Sequence, residues 1–182
     1  MIVLGVDPGS RVTGYGIVEK KGSEVSLIHS GHVRSSGKIP FYDRIHKIFQ
    51  SMVKIMDDYR PQEMAIEDMF YAKNVQSSMK LGHARGAVLI AAVQCGLKIF
   101  EYTPLEIKKS VVGYGRASKE QVRSMVQMIL NVKTDLNLDT SDALAAAICH
   151  MNWSRFETIA RKANGAGRTA HGARDRTKRY KV

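Results

Sequence analysis

The sequence predicts an α/β domain in which a mixed five-stranded sheet is flanked by helices. Two observations lead to this class. The chain opens with three apolar runs joined by short turns, which is typical of antiparallel strands. Apolar residues then recur at helical spacing, and predicted helices and strands alternate through the rest of the patterned sequence. A meander followed by alternating helices and strands gives a sheet with an antiparallel and a parallel part.

The first two strands are predicted within residues 2–17, which read IVLGVDPGSRVTGYGI. The first run ends at Asp7, Pro8 and Gly9 turn the chain, and a second run starts at Tyr15. Glycines in this stretch allow another backbone or a phosphate to come close. Because Asp before Pro-Gly is also common turn chemistry, this stretch taken alone slightly favours a structural role for Asp7.

Helix caps, proline positions and apolar spacing predict the remaining elements. They are a strand over 25–33, a helix over 41–59, a strand over 64–66, a helix over 77–94, a strand over 97–102, a short helix from 104, a helix over 118–130 and a last helix over 139–153. This is the layout of the ribonuclease H-like fold, which by analogy implies the strand order 3-2-1-4-5. Strand 1 would then lie at the centre of the sheet, beside strand 4.

Positive charge is concentrated in two parts of the chain, which carries a formal net charge of +11. Residues 154–182 hold 9 Lys or Arg against 2 acids, and residues 73–119 hold 8 against 2. A basic surface beside an acidic site suits a polyanion, although a solvated basic face is the commoner reason for a run of charge. We predict one nuclease-sized domain over residues 1–153 and a basic tail over 154–182 that is disordered or loosely attached.

Composition indicates a globular protein of the cytoplasm. The 182 residues are 44% hydrophobic and 25% charged, which suits one domain with a sizeable core. No apolar run reaches about 18 residues, and the start MIVLGVD lacks the basic region of a secretory signal. Cys95 and Cys149 lie in apolar helical patterns, so we expect buried thiols and neither a disulfide framework nor a zinc site.

Four acids are predicted to meet at one edge of the sheet. Asp139 and Asp142 lie three residues apart at a helix start, where capping and the helix dipole would explain them without any catalytic role. If strands 1 and 4 are neighbours and the last helix packs beside them, however, this pair joins Asp7 and Glu67. Four carboxylates without lysine partners would raise one another's pKa values, and divalent cations would relieve that repulsion.

Hard oxygen ligands suit Mg²⁺, and Mn²⁺ would substitute. Two such ions about 3.5 to 4 Å apart can activate a water molecule and stabilise the leaving oxygen in phosphodiester hydrolysis. The acidic edge is therefore a candidate catalytic site, with the basic segment 73–119 beside it to hold a phosphate backbone. No motif for an organic cofactor is expected.

Two histidines are assigned structural roles. His83 follows Gly82 on a helix rich in small residues, and His150 is expected near the C-terminus of the last helix, where a partly charged imidazole is favourable. Neither histidine has the spacing of a metal ligand.

Four ordered segments of the chain resemble the bacterial RuvC Holliday-junction resolvases. They are GVDPGSRVTGYGIVE, AIEDMFYAKNVQSSMKLGHARGAV, EYTPLEIKKSVVGYGRASKEQV and DTSDALAAAICH, and together they span residues 1 to about 152. The resemblance implies a Mg²⁺-dependent homodimer that cuts four-way DNA junctions by symmetric nicks, leaving 5′-phosphate and 3′-hydroxyl ends. It also implies cooperation with the branch-migration proteins RuvA and RuvB in recombination and repair.

The resemblance also implies roles for individual residues. The metal-binding catalytic acids are Asp7, Glu67, Asp139 and Asp142, of which Asp139 is the least fixed because some relatives have histidine there. Phe70 corresponds to an aromatic residue that stacks on bases at the junction, although a core position is its ordinary alternative. The basic residues implied near the scissile phosphate are Lys108 and Lys119, and those assigned to a general phosphate-binding face are Lys73, Lys80, Arg85 and Arg116.

Three other functions share part of this pattern. A different ribonuclease H-like nuclease acting on RNA or RNA-DNA hybrids would use the same acids. An actin-like sugar kinase or ATPase also has an Asp-x-Gly hairpin, but it needs a second lobe and an adenosine-binding glycine-rich segment. A non-catalytic architectural DNA-binding protein would explain the charge, but it would not explain the set of carboxylates.

Overall fold

The computed structural model describes residues 1–68, 74–133 and 135–163, with side chains described up to residue 153. Its strands and helices are β1 (Ile2–Asp7), β2 (Val12–Lys21), β3 (Glu24–Arg34), α1 (Phe41–Tyr59), β4 (Glu63–Glu67), α2 (Val75–Gln94), β5 (Lys98–Tyr102), α3 (Pro104–Val112), α4 (Lys119–Ile129) and α5 (Leu138–Ala163). Within these ranges no helix is both long enough and apolar enough to cross a membrane.

The five strands form one mixed sheet in the order β3-β2-β1-β4-β5, as the sequence predicts. β1 and β3 each pair antiparallel with β2. β4 pairs parallel with β1 and with β5. The central strand β1 therefore has the meander on one side and the parallel strands on the other.

Helices cover both faces of the sheet, and alternation along the strands decides which side chain faces which layer. Leu4 and Val6 point to the layer of α1 and α2, where they pack in one buried cluster with Met52. Val3 points the other way, into a cluster built largely from α3, α4 and α5 that includes Leu144. Burying each of these side chains stabilises the fold by about 1.5 to 3 kcal/mol.

Glycines in β1 and β2 bring the backbone of α5 unusually close to the sheet. A Cβ atom on Gly5 or Gly14 would lie far inside van der Waals contact with the carbonyl oxygen of Ala143 or Asp139, respectively. One on Gly16 would collide with the side chain of Leu144. The glycines of the opening hairpin therefore admit another backbone, and that backbone belongs to the helix carrying two of the four acids.

Helix α5 ends later than the sequence analysis predicts. It continues to Ala163, ten residues past the predicted end at Trp153. Residues 154–163 read SRFETIARKA, and these are mostly good helix formers that extend an existing helix without a new nucleation step. The break signal, Asn164-Gly165, comes only afterwards. The predicted division into a domain over 1–153 and a tail over 154–182 stays a prediction, and residues 164–182 lie outside the described residues.

The predicted placement of His150 is wrong for the same reason. It lies in the interior of α5 instead of near a helix C-terminus, and only 3% of it is exposed. Its two ring nitrogens contact the Tyr102 hydroxyl at 2.6 Å and the Glu63 carboxylate at 2.7 Å. The imidazole is thus held by side chains, with no part played by a helix terminus.

Candidate active site

Asp7 and Glu67 end neighbouring strands on the same side of the sheet. β1 and β4 are parallel and pair through Val6 and Ile66, so the next residue on each strand is one of these acids. Because Val6 and Ile66 face the α1/α2 layer, the alternation of side chains turns Asp7 and Glu67 toward α5. Both carboxylates therefore lie under the start of the last helix.

The start of α5 is fixed by side chains that tie it to the meander. The side-chain oxygen of Asn137 accepts a hydrogen bond from the Thr140 backbone N–H at 2.8 Å, as an N-cap does. The Thr140 hydroxyl donates to the carbonyl of Gly31 on β3 at 3.1 Å. Together with the close approach over Gly14, these contacts place Asp139 and Asp142 on the first turns of α5, above the ends of β1 and β4.

The charges of the other three acids act on Asp7. The pKa of Asp7 is raised to about 7, chiefly by burial and then by the charges of Asp142, Glu67 and Asp139. The pKa of Glu67 is also raised, first by burial and then by Asp142. Like charges held together in a partly buried site are unfavourable unless a cation joins them. The predicted convergence of Asp7, Glu67, Asp139 and Asp142 is thus present in the structure.

Two adjoining cavities open between the acids. One, of about 200 Å³, is lined by Asp7, Glu67 and Asp68 together with the Arg85 side chain. The other, of about 180 Å³, is lined by Glu67 and Asp142 together with Lys108 and Lys119. Glu67 borders both cavities, and the two lysines line only the second of them.

The donor set fits a hard divalent cation, but the side chains do not enclose one. Four carboxylates supply only oxygen ligands, which suits Mg²⁺ or Mn²⁺ and disfavours softer metals. Among the described residues, no three acids, histidines or cysteines come together closely enough to hold a metal ion. Metal binding at this edge therefore requires the carboxylates to turn inward.

The expectation that the acids lack a lysine partner is wrong. Lys119 Nζ lies 2.6 Å from Asp142 Oδ2, and this hydrogen bond is the main cause of the raised pKa of the Lys119 ammonium. Lys119 begins α4, and the capping box of Ser118 and Gln121 fixes that helix start. Spacing along the chain gave no sign of this contact, because it joins the start of α4 to the start of α5.

Lys108 is half-buried and donates to the carbonyl of Ala117 at 2.8 Å. It thereby ties α3 to the loop before α4. Both predicted lysines near the scissile phosphate thus lie at the edge of the acidic site, where their charges lower the pKa of Glu67.

Arg85 does not lie on an exposed phosphate-binding face, contrary to the prediction. Only 7% of it is exposed, and its guanidinium pairs with Glu101 at 2.9 Å and donates to the backbone carbonyl of Glu67. Small residues let α2 pack close to the sheet, which brings Arg85 beneath the end of β4. Sequence reasoning missed this role. The acidic residue Glu101 on the next predicted strand was the signal that could have indicated an ion-pair partner for Arg85.

Of the other predicted basic and aromatic residues, the structure describes Lys80 and Arg116. Lys80 and Arg116 are exposed, as a phosphate-binding face requires. Phe70 and Lys73 lie outside the described residues, so their predicted roles stay predictions.

Comparison with known proteins identifies relatives of this chain among the nucleases. The family model described as Crossover junction endodeoxyribonuclease RuvC matches residues 3–150. A protein of that name from Geobacter sulfurreducens is 46% identical over 161 residues, which cover 88% of this chain and 98% of that protein.

Solved structures with the same fold include Thermus thermophilus RuvC in complex with a Holliday junction substrate. It has a TM-score of 0.82 and 34% identity, covering 87% of this chain and 97% of that one. The yeast mitochondrial Holliday junction resolvase Ydc2 has a TM-score of 0.63 at 12% identity, covering 88% and 83%, which shows a shared fold alone. The ribonuclease H-like arrangement of the sheet is thereby confirmed, and the chain belongs to the RuvC family of crossover junction endodeoxyribonucleases.

Proposed function

We propose that this chain is a Mg²⁺-dependent endonuclease that resolves four-way DNA junctions by paired symmetric nicks, in recombination and repair. The observation that carries the proposal is the meeting of Asp7, Glu67, Asp139 and Asp142 at one edge of the sheet in a member of the RuvC family. The Thermus thermophilus relative, solved with a Holliday junction substrate, supports the choice of DNA.

The four carboxylates would hold the metal, with Asp7 central because it ends the central strand. When bound, two Mg²⁺ ions, or Mn²⁺ in their place, would activate a water molecule and neutralise the developing charge. The protein's part is to keep the acids converged, through the glycine-lined approach of α5 and the hold of Arg85 on the end of β4. Partial burial of Asp7 would strengthen its interaction with a cation.

Lys108 and Lys119 would position the scissile phosphate, because they line the cavity next to Glu67. Lys80 and Arg116, with Lys73, would hold the backbone further out. Phe70 would stack on a base near the cut, so Phe70→Ala is expected to slow cutting while the melting temperature stays the same. An unchanged cutting rate on an intact junction would contradict the stacking role.

Paired cuts on opposed strands imply a homodimer, and an apolar groove between α1 and α2 offers a surface for it. The groove has a volume of about 700 Å³, and its lining includes Tyr42, Met79 and Ile90, which are 77%, 59% and 64% exposed. A second copy of the chain would cover these side chains and place the second active site in a symmetric position.

The dimer can be tested with Ile90→Glu, with Met128→Glu as its control. Met128 is also a highly exposed apolar side chain, but it lies on α4, on the other face of the sheet. Ile90→Glu is expected to give monomers in sedimentation and to uncouple the two nicks, whereas Met128→Glu should leave both properties unchanged. A dimer that survives Ile90→Glu would place the interface elsewhere.

The family resemblance further supports cooperation with RuvA and RuvB. It also supports a location in the cytoplasm, where a bacterial chromosome is processed.

The proposed function is tested with one synthetic four-way junction, incubated with the protein in Mg²⁺ and in EDTA. We expect paired, symmetric nicks in Mg²⁺ alone. An RNA-DNA hybrid duplex of the same sequence serves as the comparison substrate. Preferential cutting of the hybrid would favour a different ribonuclease H-like nuclease, and binding without any cutting in Mg²⁺ or Mn²⁺ would favour an architectural protein.

A further inference from the structure

We propose that Arg11, Arg34 and Lys47 form a second DNA-binding surface, which we call the basic corner. It would bind the sugar-phosphate backbone on the side of the acids opposite Lys108 and Lys119. This inference rests on the proposed function, because it assigns a further part of the same DNA substrate to a surface outside the active site.

Three separate elements bring the basic corner together. Arg11 lies in the turn between β1 and β2, and its carbonyl accepts a hydrogen bond from the Ser35 backbone N–H at 2.9 Å. Arg34, the last residue of β3, is paired in the sheet with Val12, directly after Arg11. Lys47 reaches across from α1 and donates to the carbonyl of Arg34 at 2.8 Å. The fold therefore gathers cations that are distant in sequence.

These cations are available to an anion. All three residues are exposed, and within the described part of the chain none of them forms an ion pair. Asp43 stands one helical turn before Lys47 on α1 but is not paired with it in the structure. By contrast, Lys54, further along the same helix, is paired with Asp58 at 3.0 Å. Lys47 thus carries a positive charge without an ion-pair partner, whereas the charge of Lys54 on the same helix is compensated.

The position of the corner relative to Asp7 would let one DNA strand contact both. Arg11 follows Asp7 by four residues, so their Cα atoms are at most about 14 Å apart. With a rise of about 3.4 Å per nucleotide along one strand, this distance corresponds to at most about four nucleotides. β2 and β3 lie on one side of β1, while β4 and β5 lie on the other, next to the cavity bordered by Lys108 and Lys119. A backbone crossing Asp7 would meet cations on both sides.

The proposal is tested by the triple variant Arg11→Gln, Arg34→Gln, Lys47→Gln. Its control is the triple variant Lys21→Gln, Lys54→Gln, Lys98→Gln, which removes the same charge, with Lys21 and Lys98 at the strand ends opposite Asp7 and Lys54 in the C-terminal half of α1. Affinity for a four-way junction is measured in EDTA over a series of salt concentrations. Because each phosphate contact contributes about 0.9 to the slope of log K against log salt, the corner variant should lose about 3 from the wild-type slope.

The control variant should keep the wild-type slope. A corner variant with the wild-type slope, or an equal loss in the control, would overturn the inference. If Gln at three positions lowers the melting temperature, the single variant Arg11→Gln, whose side chain is exposed in a turn, decides the matter through a loss of about 1 from the slope. Wild-type protein that cuts no junction in Mg²⁺ would instead overturn the proposed function, so the two failures are distinguishable.

Discussion

Strand β4 lies against helix α5, and each end of β4 carries a glutamate that faces this helix. The pKa of the glutamate is lowered at one end and raised at the other. Glu63 and Glu67 lie on the same face of β4, about 13 Å apart, which matches the rise of about 12 Å between His150 and Asp142 on α5. At one end Glu63 bonds to His150 at 2.7 Å, and this hydrogen bond lowers the pKa of Glu63. At the other end burial and the charge of Asp142 raise the pKa of Glu67.

The Glu63 end is a closed hydrogen-bond network. When His150 donates its Nε2 proton to Glu63, its Nδ1 accepts from the Tyr102 hydroxyl at 2.6 Å, so one neutral tautomer satisfies both contacts. The Phe100 ring packs on the imidazole with centroids 4.3 Å apart. This network fixes α5 against β4 and β5.

The two ends of β4 show that the fold concentrates its like charges around Glu67. A buried polar group with partners stabilises a structure, whereas like charges left together oppose folding. The network around His150 holds the helix, and the held helix keeps Asp142 close to Glu67. Carboxylates of the same strand thus serve stability at one end and provide the candidate catalytic site at the other.

The largest effect is expected from Asp7→Asn, which removes one of the like charges beside Glu67. Loss of this carboxylate should lower the rate of junction cutting at least about a thousandfold, because metal-mediated charge stabilisation is worth several kcal/mol, while junction affinity in EDTA changes little. Gel assays of cutting and binding measure the two quantities. Retained Mg²⁺-dependent cutting would contradict the assignment of Asp7.

The same variant tests the sign of the charge effect on stability. Because the pKa of folded Asp7 is raised to about 7 from an ordinary value of 3.8, the contribution of Asp7 to stability falls as pH rises from about 4 through 7. Without metal, Asp7→Asn should be more stable than the wild type at pH 8, and the difference should shrink toward pH 4. Urea unfolding in EDTA at both pH values measures it.

Gly14→Ala should disturb the packing of α5 on the sheet without removing any charge. Its methyl group would collide with the carbonyl of Asp139 and push the start of α5 outward. We expect cutting to fall by about 10- to 100-fold and the free energy of unfolding to fall by about 1 to 3 kcal/mol. Gly37→Ala is the matched control, because a Cβ there meets no atom within 4 Å. Equal behaviour of the two variants would show that close packing of α5 is unimportant.

Glu63→Gln removes the carboxylate that bonds to His150. It should lower the free energy of unfolding by about 1 to 2 kcal/mol at pH 7, with a smaller effect on cutting than Gly14→Ala. Since the pKa of folded Glu63 lies below its ordinary value of 4.5, its stabilising contribution is present above that pH and is lost as pH falls through the lowered pKa. Urea unfolding over a series of pH values from 7 downward should therefore show the difference from the wild type shrinking once the pH is below 4.5.

The smallest effect concerns Lys119, the cation whose charge lowers the pKa of both Asp7 and Glu67. Lys119 lowers the pKa values of Asp7 and Glu67, so Lys119→Gln should raise both values further in metal-free buffer. Carbon-13 NMR titration of the carboxylates measures the change. Lys109→Gln serves as the control, since the neighbouring charge of Lys109 is not among the causes of either shift. A fall in either pKa on loss of Lys119 would reverse the expected sign.

Sequence reasoning reached the elements that a local pattern specifies. The helix over Phe41–Tyr59 has the predicted bounds because its apolar spacing and the following Pro61 are local signals. The positions of Asp7 and Glu67 at strand ends followed from runs of apolar residues. The strand order needed an analogy with a known fold, since the sequence pattern does not state which strands are neighbours.

The errors concern contacts between elements that are remote in sequence. Arg85 has the composition of a surface cation, and only the packing of α2 on the sheet shows that Glu101 and the end of β4 surround it. The pairing of Lys119 with Asp142 likewise joins two helix starts. The end of α5 was missed because a change of composition was treated as the end of a helix, whereas Arg, Glu, Lys and Ala continue one readily.

The close approach of α5 to the glycines of β1 and β2 has a consequence for folding. Asp7 is near the beginning of the chain and Asp142 is in the last described helix, so the two meet only after the strands have formed and α5 has docked. Such non-local contacts are late and slow to form in a folding chain. A nascent or partly unfolded molecule, with α5 undocked, would therefore lack a cutting site, and nuclease activity would appear only with the complete tertiary fold.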